Sequence, residues 1–227
     1  MAAPIFCPIC RSDRIIKHGS ILGPKGRIQR YDCKNCGKRF HPSLKEIPLV
    51  EGFFDIETSQ AGRGAGNFGI MYSWAIKVGG KNQVYYDVLR ERTPKDEARI
   101  VLSMVAALRR FDMIYTWYGT GHDFPVARSR ALAHHIPFPE YLELYHVDLY
   151  YIFRRLFKLH SNRLAAAAEF FGVEGKTPLD PDVWVAASFG QKKALRYILT
   201  HNIGDVQILE QVHKMIRPYY KGVKRSI

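Results

Sequence analysis

Beyond residue 48, apolar residues fall into short runs separated by glycine-rich or polar segments. The runs 49–57, 68–78 and 83–91 are rich in β-branched and aromatic residues, a pattern that predicts three strands. A fourth strand is predicted at 112–119, and a fifth strand or extended segment at 144–148. The first half of this region is therefore expected to supply most of a β-sheet.

Helical periodicity appears between and after these strands. Residues 96–110 place Ile100, Met104, Val105 and Leu108 on one face, as an amphipathic helix does. Further helices are predicted at 125–135, 149–159, 163–171 and 192–215. The order βββαβαβα is the order that an α/β fold of the ribonuclease H type would have, with a mixed five-stranded sheet flanked by helices.

Length and charge narrow the range of candidate functions. The chain has 227 residues, enough for one compact domain and a small module, and a formal net charge of +13. This charge indicates a nucleic-acid partner, DNA or RNA, more than an acidic membrane surface or a neutral metabolite. No apolar run could span a bilayer and the N-terminal residues lack a signal-peptide pattern, so we expect a soluble, cytoplasmic protein with no membrane partner.

The four cysteines form two CxxC pairs separated by 22 residues. Each CxxC turn can direct two thiolates at one tetrahedral ion, so the spacing predicts a small zinc ribbon that precedes the α/β domain. Two disulfides are the alternative, but nothing else in the sequence indicates an oxidising compartment. A four-thiolate site keeps no open coordination position, so one structural Zn²⁺ is expected. Its ligands would be Cys7, Cys10, Cys33 and Cys36.

The ribbon segment is strongly basic. Residues 1–46 hold ten lysines and arginines against three acids. Part of this excess offsets the negative charge of a zinc ion with four thiolates, and the rest, interleaved with Tyr31, Phe40 and His41, suits phosphate contact. The candidate nucleic-acid-binding residues here are Arg27, Arg30, Lys34, Lys38 and Arg39. Further candidates for steering a nucleic-acid backbone are Lys77, Lys81, Arg128, Arg130, Lys214, Arg217, Lys221, Lys224 and Arg225.

The ribbon segment resembles the zinc ribbons at the N-termini of bacterial transposition proteins. The resemblance covers about the first 42 residues, including the ending aromatic-Asp-Cys-x-x-Cys-Gly-Lys-x-Phe. A protein partner that binds through the ribbon is also possible. The segment 41–48, with two prolines, predicts a linker, so we expect a ribbon domain at 1–44 and a ribonuclease H-like domain at 49–227. The glycine-rich residues 59–67 precede strand-like residues and no helix, which favours a flexible hairpin connection over a phosphate-binding loop.

Carboxylates are the candidates for chemistry. Asp55 and Glu57 are two residues apart on a predicted strand, so their side chains project from one face. Two acids at the end of an apolar strand repel each other unless a cation lies between them, and a divalent metal is the simplest cation; two solvated acids are the alternative. Asp123 and Asp148 follow the fourth and fifth strands, and Asp205 lies at the edge of the apolar stripe of the last helix.

Three segments, FFDIET, WYGTGHDFP and HNIGDV, resemble in this order the three exonuclease motifs of the DEDD (DnaQ-like, ribonuclease H-fold) 3′-5′ exonuclease superfamily. The resemblance extends over about residues 49–215. It is nearest to the branch with the exonuclease domains of family B polymerases and the YprB-type proteins, to which SNRLAAAAEFFGVEGK and YHVDL are also similar. It implies that metal ions are bound by Asp55, Glu57, Asp123 and Asp205, with Asp148 as an auxiliary acid.

The second motif differs from the family pattern. Relatives have Tyr-Asn-Gly before Phe-Asp, whereas Trp117, Tyr118 and Gly119 stand here, with His122 directly before Asp123. These changes bear on how the substrate is positioned. We therefore treat Trp117, Tyr118 and His122 as candidate nucleic-acid-binding residues.

The third motif contains His201, four residues before Asp205, where the family has either Tyr at four or His at five. A histidine titrates near pH 6.5, so His201 is a candidate general base or water-orienting group. A core or surface histidine without a catalytic role is the alternative. Tyr197 is a weaker substitute.

The mechanism implied by the resemblance is two-metal hydrolysis with two Mg²⁺ or Mn²⁺ ions, in which Asp55 would bridge the ions. The prediction is a metal-dependent 3′-5′ exonuclease, with DNA and single-stranded ends favoured, a role in DNA repair, and a ribbon that aids nucleic-acid binding. One alternative is a non-catalytic nucleic-acid-binding module. Another is a structure-specific endonuclease that uses the same acids. A transposase-like endonuclease on the same fold is a further alternative, for which Glu210 would be the late catalytic acid.

Overall fold

The structure is a computed structural model, and it describes residues 5–23, 26–41, 49–59, 69–140, 143–175, 177–178, 180–220 and 225–226. The chain divides into two compact units, Met1–Leu49 (unit 1) and Val50–Ile227 (unit 2). Nearly all of the expected linker 41–48 and of the glycine-rich connection 59–67 lies outside the described residues. In the ranges given above, no helix is both long and apolar enough to cross a membrane.

Unit 1 is a small antiparallel sheet. Its strands are β1 (Ile15–Gly23), β2 (Gly26–Cys33) and β3 (Arg39–Phe40), in that spatial order. The Tyr31 ring, 9% exposed, stacks on Phe40 with centroids 6.2 Å apart. The sequence places these rings among basic residues that suit phosphate contact, and in the structure the two rings pack against each other. A core this small needs a further source of stability.

Unit 2 contains every strand and helix that the sequence predicts beyond residue 48. Two elements were not predicted: the short helix α5 and the two-residue strand β9. The strands are β4 (Glu51–Thr58), β5 (Met71–Val78), β6 (Val84–Val88), β7 (Met113–Thr116), β8 (Tyr145–Asp148) and β9 (Arg225–Ser226). The helices are α1 (Pro94–Leu108), α2 (Asp123–Ala133), α3 (Leu149–Leu156), α4 (Leu164–Phe170), α5 (Pro181–Ser188) and α6 (Lys192–Ile216), followed by a 3₁₀ turn at Arg217–Tyr219.

The six strands of unit 2 form one mixed sheet in the order β6-β5-β4-β7-β8-β9. Strands β4, β7 and β8 are parallel, and the other neighbours are antiparallel. The five predicted strands thus form the expected mixed sheet flanked by helices, and β9 extends its edge. This confirms the ribonuclease H-like fold class.

Strand β4 lies at the centre of the unit and alternates its side chains between two helical layers. Phe54 contacts Phe124 of α2 at 5.7 Å between ring centroids, whereas Phe53 contacts His213 of α6 at 5.3 Å. Because side chains alternate along a strand, Asp55 lies on the same face as Phe53. The two acids of β4 therefore lie between the sheet and α6, as the period of two predicts.

Two of the basic residues considered for steering a nucleic-acid backbone form ion pairs inside the fold. Arg130 of α2 donates from Nε to Glu97 of α1 at 2.7 Å, and Glu97 also accepts from the Met71 amide at 3.0 Å. Lys77, 8% exposed, pairs with Glu210 of α6 at 2.5 Å. Neither cation is therefore available for a nucleic-acid backbone, and the sequence prediction was wrong for both. Lys221 and Lys224 lie outside the described residues.

His213 makes the fold of unit 2 sensitive to acid. The imidazole is 7% exposed, contacts the Tyr115 ring at 4.3 Å and bonds the Tyr220 hydroxyl at 2.8 Å. Burial, followed by the charge of Arg217, lowers the pKa of His213 to about 4. The unfolded chain, with a histidine pKa of about 6.5, therefore takes up the proton first. Stability that is complete above pH 6.5 is lost as the pH falls towards 4, by about 3 kcal/mol at most.

We therefore expect His213→Phe to flatten the dependence of unfolding free energy on pH between 7 and 4. Urea unfolding followed by tryptophan fluorescence measures this in unit 2 alone, because all three tryptophans lie there. The exposed His160→Gln is the control and should keep the wild-type slope. An unchanged slope in His213→Phe would contradict the buried, neutral state of this histidine.

Candidate functional site

The four acids predicted from the sequence influence one another electrostatically. Burial, and then the charges of Asp123, Glu57 and Asp205, raise the pKa of Asp55 well above its usual range. The Asp55 carboxylate also accepts a hydrogen bond from the Asn202 amide at 2.6 Å, which acts in the opposite direction. The residues come from β4, α2 and α6, so three elements meet at this point.

Asp123 is the first residue of α2 and is buried. Its Oδ1 accepts a hydrogen bond from the Ile56 amide at 3.1 Å. The parallel register of β4 with β7 ends at Phe53 and Tyr115, so the β4 backbone beyond that point turns to this carboxylate instead of a neighbouring strand. Burial raises the pKa of Asp123 to about 7, although the Ile56 bond lowers it. The buried Asp123 carboxylate, whose ionised form is disfavoured by burial, thus fixes α2 against the end of β4.

His201 lies between two acids. Its Nε2 is 3.8 Å from Oε1 of Glu57 and 3.7 Å from Oδ2 of Asp205. These distances exceed the length of a hydrogen bond. The imidazole is buried, and the Trp184 ring of α5 meets it edge-on at 5.5 Å. His201 therefore faces the acids and not the solvent.

Two residues of this site were missed in the sequence. Asn202 was placed in the core stripe of the last helix, yet its amide bonds Asp55, and its Oδ1 accepts from Ser73 at 3.5 Å. Trp184 belongs to α5, which was not predicted. A polar residue inside an apolar stripe was the signal for Asn202, because a buried amide needs hydrogen-bond partners.

Asp148 accepts hydrogen bonds from three backbone amides, and its charge is, after burial, one of the influences that raise the pKa of Asp123. Its Oδ1 accepts from the Tyr118 amide at 2.9 Å and from the Tyr150 amide at 3.1 Å, and its Oδ2 accepts from the Thr120 amide at 2.9 Å. It is also the N-cap of α3. These contacts tie the loop after β7 to the end of β8. The role of Asp148 as an auxiliary metal ligand stays a prediction.

The residues at which the second motif differs from the family pattern are not equally exposed. The Trp117 indole is partly buried, donates to the Asn162 carbonyl at 2.9 Å and packs on Phe153. Tyr118 and His122 are exposed. Trp117 therefore anchors the loop, and the two other side chains are accessible to a ligand.

The acids fit a divalent metal by their chemistry. Carboxylate oxygens are the ligands that Mg²⁺ and Mn²⁺ prefer, and a bound cation relieves the repulsion that raises the pKa of Asp55. Among the described residues, however, no three of these acids bring ligand atoms within 4.8 Å of one another, as the four cysteines do. The ligand atoms of the acids are therefore more widely spaced than the sulfur atoms of the cysteine cluster.

The cysteines of unit 1 form a compact cluster. The Sγ atoms of Cys7 and Cys36 lie 3.5 Å apart and those of Cys10 and Cys33 lie 3.6 Å apart, and all four are free thiols. A tetrahedral ion with sulfurs at about 2.3 Å would separate them by about 3.8 Å. The cluster could therefore hold one metal ion, and the disulfide alternative does not describe it.

The predicted basic residues of the ribbon are not equivalent. Arg27, Lys34 and Lys38 are exposed, and Arg30 is partly buried. Arg39 is exposed but pairs with Asp32, with 2.8 Å between Nε and Oδ1. The side chain of Arg39 is thus partly engaged within the ribbon.

The mixed sheet, its flanking helices and the acids at the end of β4 define a ribonuclease H-like protein. The model of the RNase_H superfamily matches residues 52–217, and the chain belongs to this superfamily. The fold is similar to that of the family B DNA polymerase from the hyperthermophilic archaeon Pyrobaculum calidifontis, with a TM-score of 0.67 and 17% identity. The match covers 90% of this chain but only 29% of the polymerase chain. No curated protein matches the sequence.

Proposed function

We propose that this protein is a metal-dependent 3′-5′ exonuclease that hydrolyses phosphodiester bonds of nucleic acid, DNA in preference to RNA. The observation that carries the proposal is the convergence of Asp55, Glu57, Asp123 and Asp205 beside His201. Membership of the RNase_H superfamily and the fold shared with a polymerase support it. Exposed cations of the ribbon would attract the polyanionic substrate.

Asp55, Glu57, Asp123 and Asp205 would hold two Mg²⁺ or Mn²⁺ ions. Bound there, such ions supply an activated water and stabilise the leaving oxygen. The chain itself contributes position and proton transfer. Asn202 fixes the Asp55 carboxylate, and Nε2 of His201 lies where it can orient a water or take its proton.

Asn202→Ala is expected to lower cleavage by about 10- to 100-fold, because a hydrogen bond to a charged group contributes about 1.5–3 kcal/mol. The metal concentration that gives half-maximal activity should rise as well, since Asp55 loses its fixed orientation. Initial rates measured over a Mg²⁺ series test both effects.

The exposed Asn82→Ala is the matched control and should behave as wild type. Tryptophan fluorescence on heating verifies that Asn202→Ala is folded. If the folded variant keeps the wild-type rate and metal dependence, Asn202 does not position Asp55.

In unit 1 we propose one structural Zn²⁺ held by Cys7, Cys10, Cys33 and Cys36. The sulfur distances suit tetrahedral coordination. Arg27, Lys34 and Lys38 are the exposed cations that would then contact nucleic acid. Arg30 would contribute less, because it is partly buried.

The activity is tested with end-labelled single- and double-stranded DNA and RNA in Mg²⁺ or Mn²⁺. Progressive release of 5′-mononucleotides from 3′ ends is expected. Internal cuts would indicate an endonuclease, and tight binding without cleavage would indicate a binding module. A transposase-like centre that uses Glu210 is disfavoured, because both Glu210 oxygens are bonded, to Lys77 and to the Gly80 amide.

A further inference from the structure

The loop between β7 and α2 holds Tyr118 in an unusual backbone conformation. Its φ is +66°, in the left-handed region that residues other than glycine rarely adopt. Asp148 maintains this conformation through its bonds to the Tyr118 and Thr120 amides. The Tyr118 carbonyl in turn accepts from the His122 amide at 3.1 Å, directly before Asp123. A strained residue is thus tied to the start of the helix that bears a proposed metal ligand.

The conformation directs the Tyr118 ring outwards. The residue is 45% exposed. A Cβ on Gly121 would lie 2.5 Å from the ring, so only glycine allows the ring this position. The ring meets Tyr150 at 5.0 Å and Tyr151 at 6.2 Å, and Tyr151 is itself 46% exposed. Two half-exposed aromatic rings therefore lie side by side.

A cavity of about 510 Å³ adjoins these rings. Thr120, Asp148, Tyr151 and Arg155 are among the residues that line it. Arg155 is an exposed cation in the last turn of α3, and it can bind a phosphate through its planar donors. Aromatic rings beside a basic side chain are the combination that binds unpaired nucleotides.

We propose that Tyr118 and Tyr151 form a stacking platform for the unpaired bases of a single-stranded nucleic acid, and that Arg155 contacts its backbone. The inference deepens the proposed function, on which it rests, by naming the side chains that would bind the unpaired bases and the backbone of a single strand. Bases in a duplex are stacked on each other and cannot lie on exposed rings, so the platform selects against paired ends.

Binding is measured by fluorescence anisotropy with a labelled single-stranded oligonucleotide and a blunt hairpin duplex of equal length. The protein used is the full chain with Asp55→Asn, which prevents cleavage. Mg²⁺ is present and no chelator is added, so that the metal of the ribbon is not removed. Tyr118→Leu and Tyr151→Leu are each expected to raise the Kd for the single strand roughly 5- to 100-fold. Tyr118→Phe keeps the ring and should stay within about 2-fold.

Tyr86→Leu is the matched control, because Tyr86 is a comparably exposed tyrosine that lies on strand β6 and not in the loop after β7 or in α3. Arg155→Gln should make the slope of log Kd against log salt shallower by about 0.7, the value for one phosphate contact on a single strand. Duplex Kd should change less than about 2-fold in the leucine variants.

Equal loss of single-strand and duplex binding, or no loss in a folded variant, would overturn the platform. Tyr151→Leu keeps the test decisive if Tyr118→Leu disturbs the strained loop. A failure of the proposed function can be distinguished from a failure of the platform. If the wild-type chain binds single strands through these rings but does not cleave them, the platform stands and the exonuclease does not.

Discussion

Asp55→Asn is expected to reduce cleavage by about 10³-fold or more while nucleic-acid binding remains. Asp55 is the acid on which the charges of Asp123, Glu57 and Asp205 act, so its carboxylate would contribute directly to holding a divalent metal ion among these acids. Its loss would remove several kcal/mol of transition-state stabilisation, at 1.36 kcal/mol for each tenfold in rate. Single-turnover cleavage of a labelled single strand measures the effect.

The same variant should change stability in the opposite direction. Removing a repelled carboxylate is expected to raise the melting temperature in metal-free buffer and to reduce the further rise that Mg²⁺ gives. The control is Asp182→Asn, an exposed acid in the first turn of α5, which should alter neither rate nor melting. Cleavage by Asp55→Asn at the wild-type rate would refute the catalytic site.

Cys33→Ser is expected to abolish metal binding by unit 1 and to unfold it. Structural zinc contributes on the order of 10 kcal/mol to domains of this kind, and the stacked Tyr31 and Phe40 rings are the main aromatic contact of this small sheet. Zinc measured by mass spectrometry should fall from about one ion per chain to nearly none. Limited proteolysis should then cut within residues 5–41.

Unit 2 should tolerate this change, because its buried core is built from its own residues. Tryptophan fluorescence reports that unit alone, and its urea midpoint should stay at the wild-type value. Ser20→Ala, an exposed position on β1, is the control for the ribbon. A Cys33→Ser protein that keeps its metal and its resistance to protease would refute the zinc site.

Local sequence patterns were sufficient to predict most of the strands and helices of the fold. The apolar runs located the strands, and their period of two correctly placed Asp55 and Glu57 on one face of β4. The short helix α5 was missed because it lacks a clear apolar face: Ala187 is its buried residue, whereas α3, of the same length, buries Leu149, Ile152 and Phe153. Its signals were present nonetheless, with Asp180 as N-cap and Pro181 in the first turn.

Contacts between distant segments could not be predicted in this way. Periodicity placed Asn202 on the inner side of the last helix, but its partner Asp55 is 147 residues away. Likewise, Asp148 was assigned from a resemblance, whereas its bonds to the loop after β7 depend on how two parallel strands end together. Such pairings depend on the assembled sheet rather than on any one segment.

Helix α6 runs unbroken for 25 residues and serves two purposes along its length. Near its middle it presents Asn202 and Asp205, and one to two turns later Glu210 and His213 lock it to the sheet. Inserting one amino acid between these stretches would rotate one relative to the other by about 100°. The number of residues between Asn202 and His213 is thus constrained, and an insertion there should separate the acids of the site from the packing of α6 on the sheet.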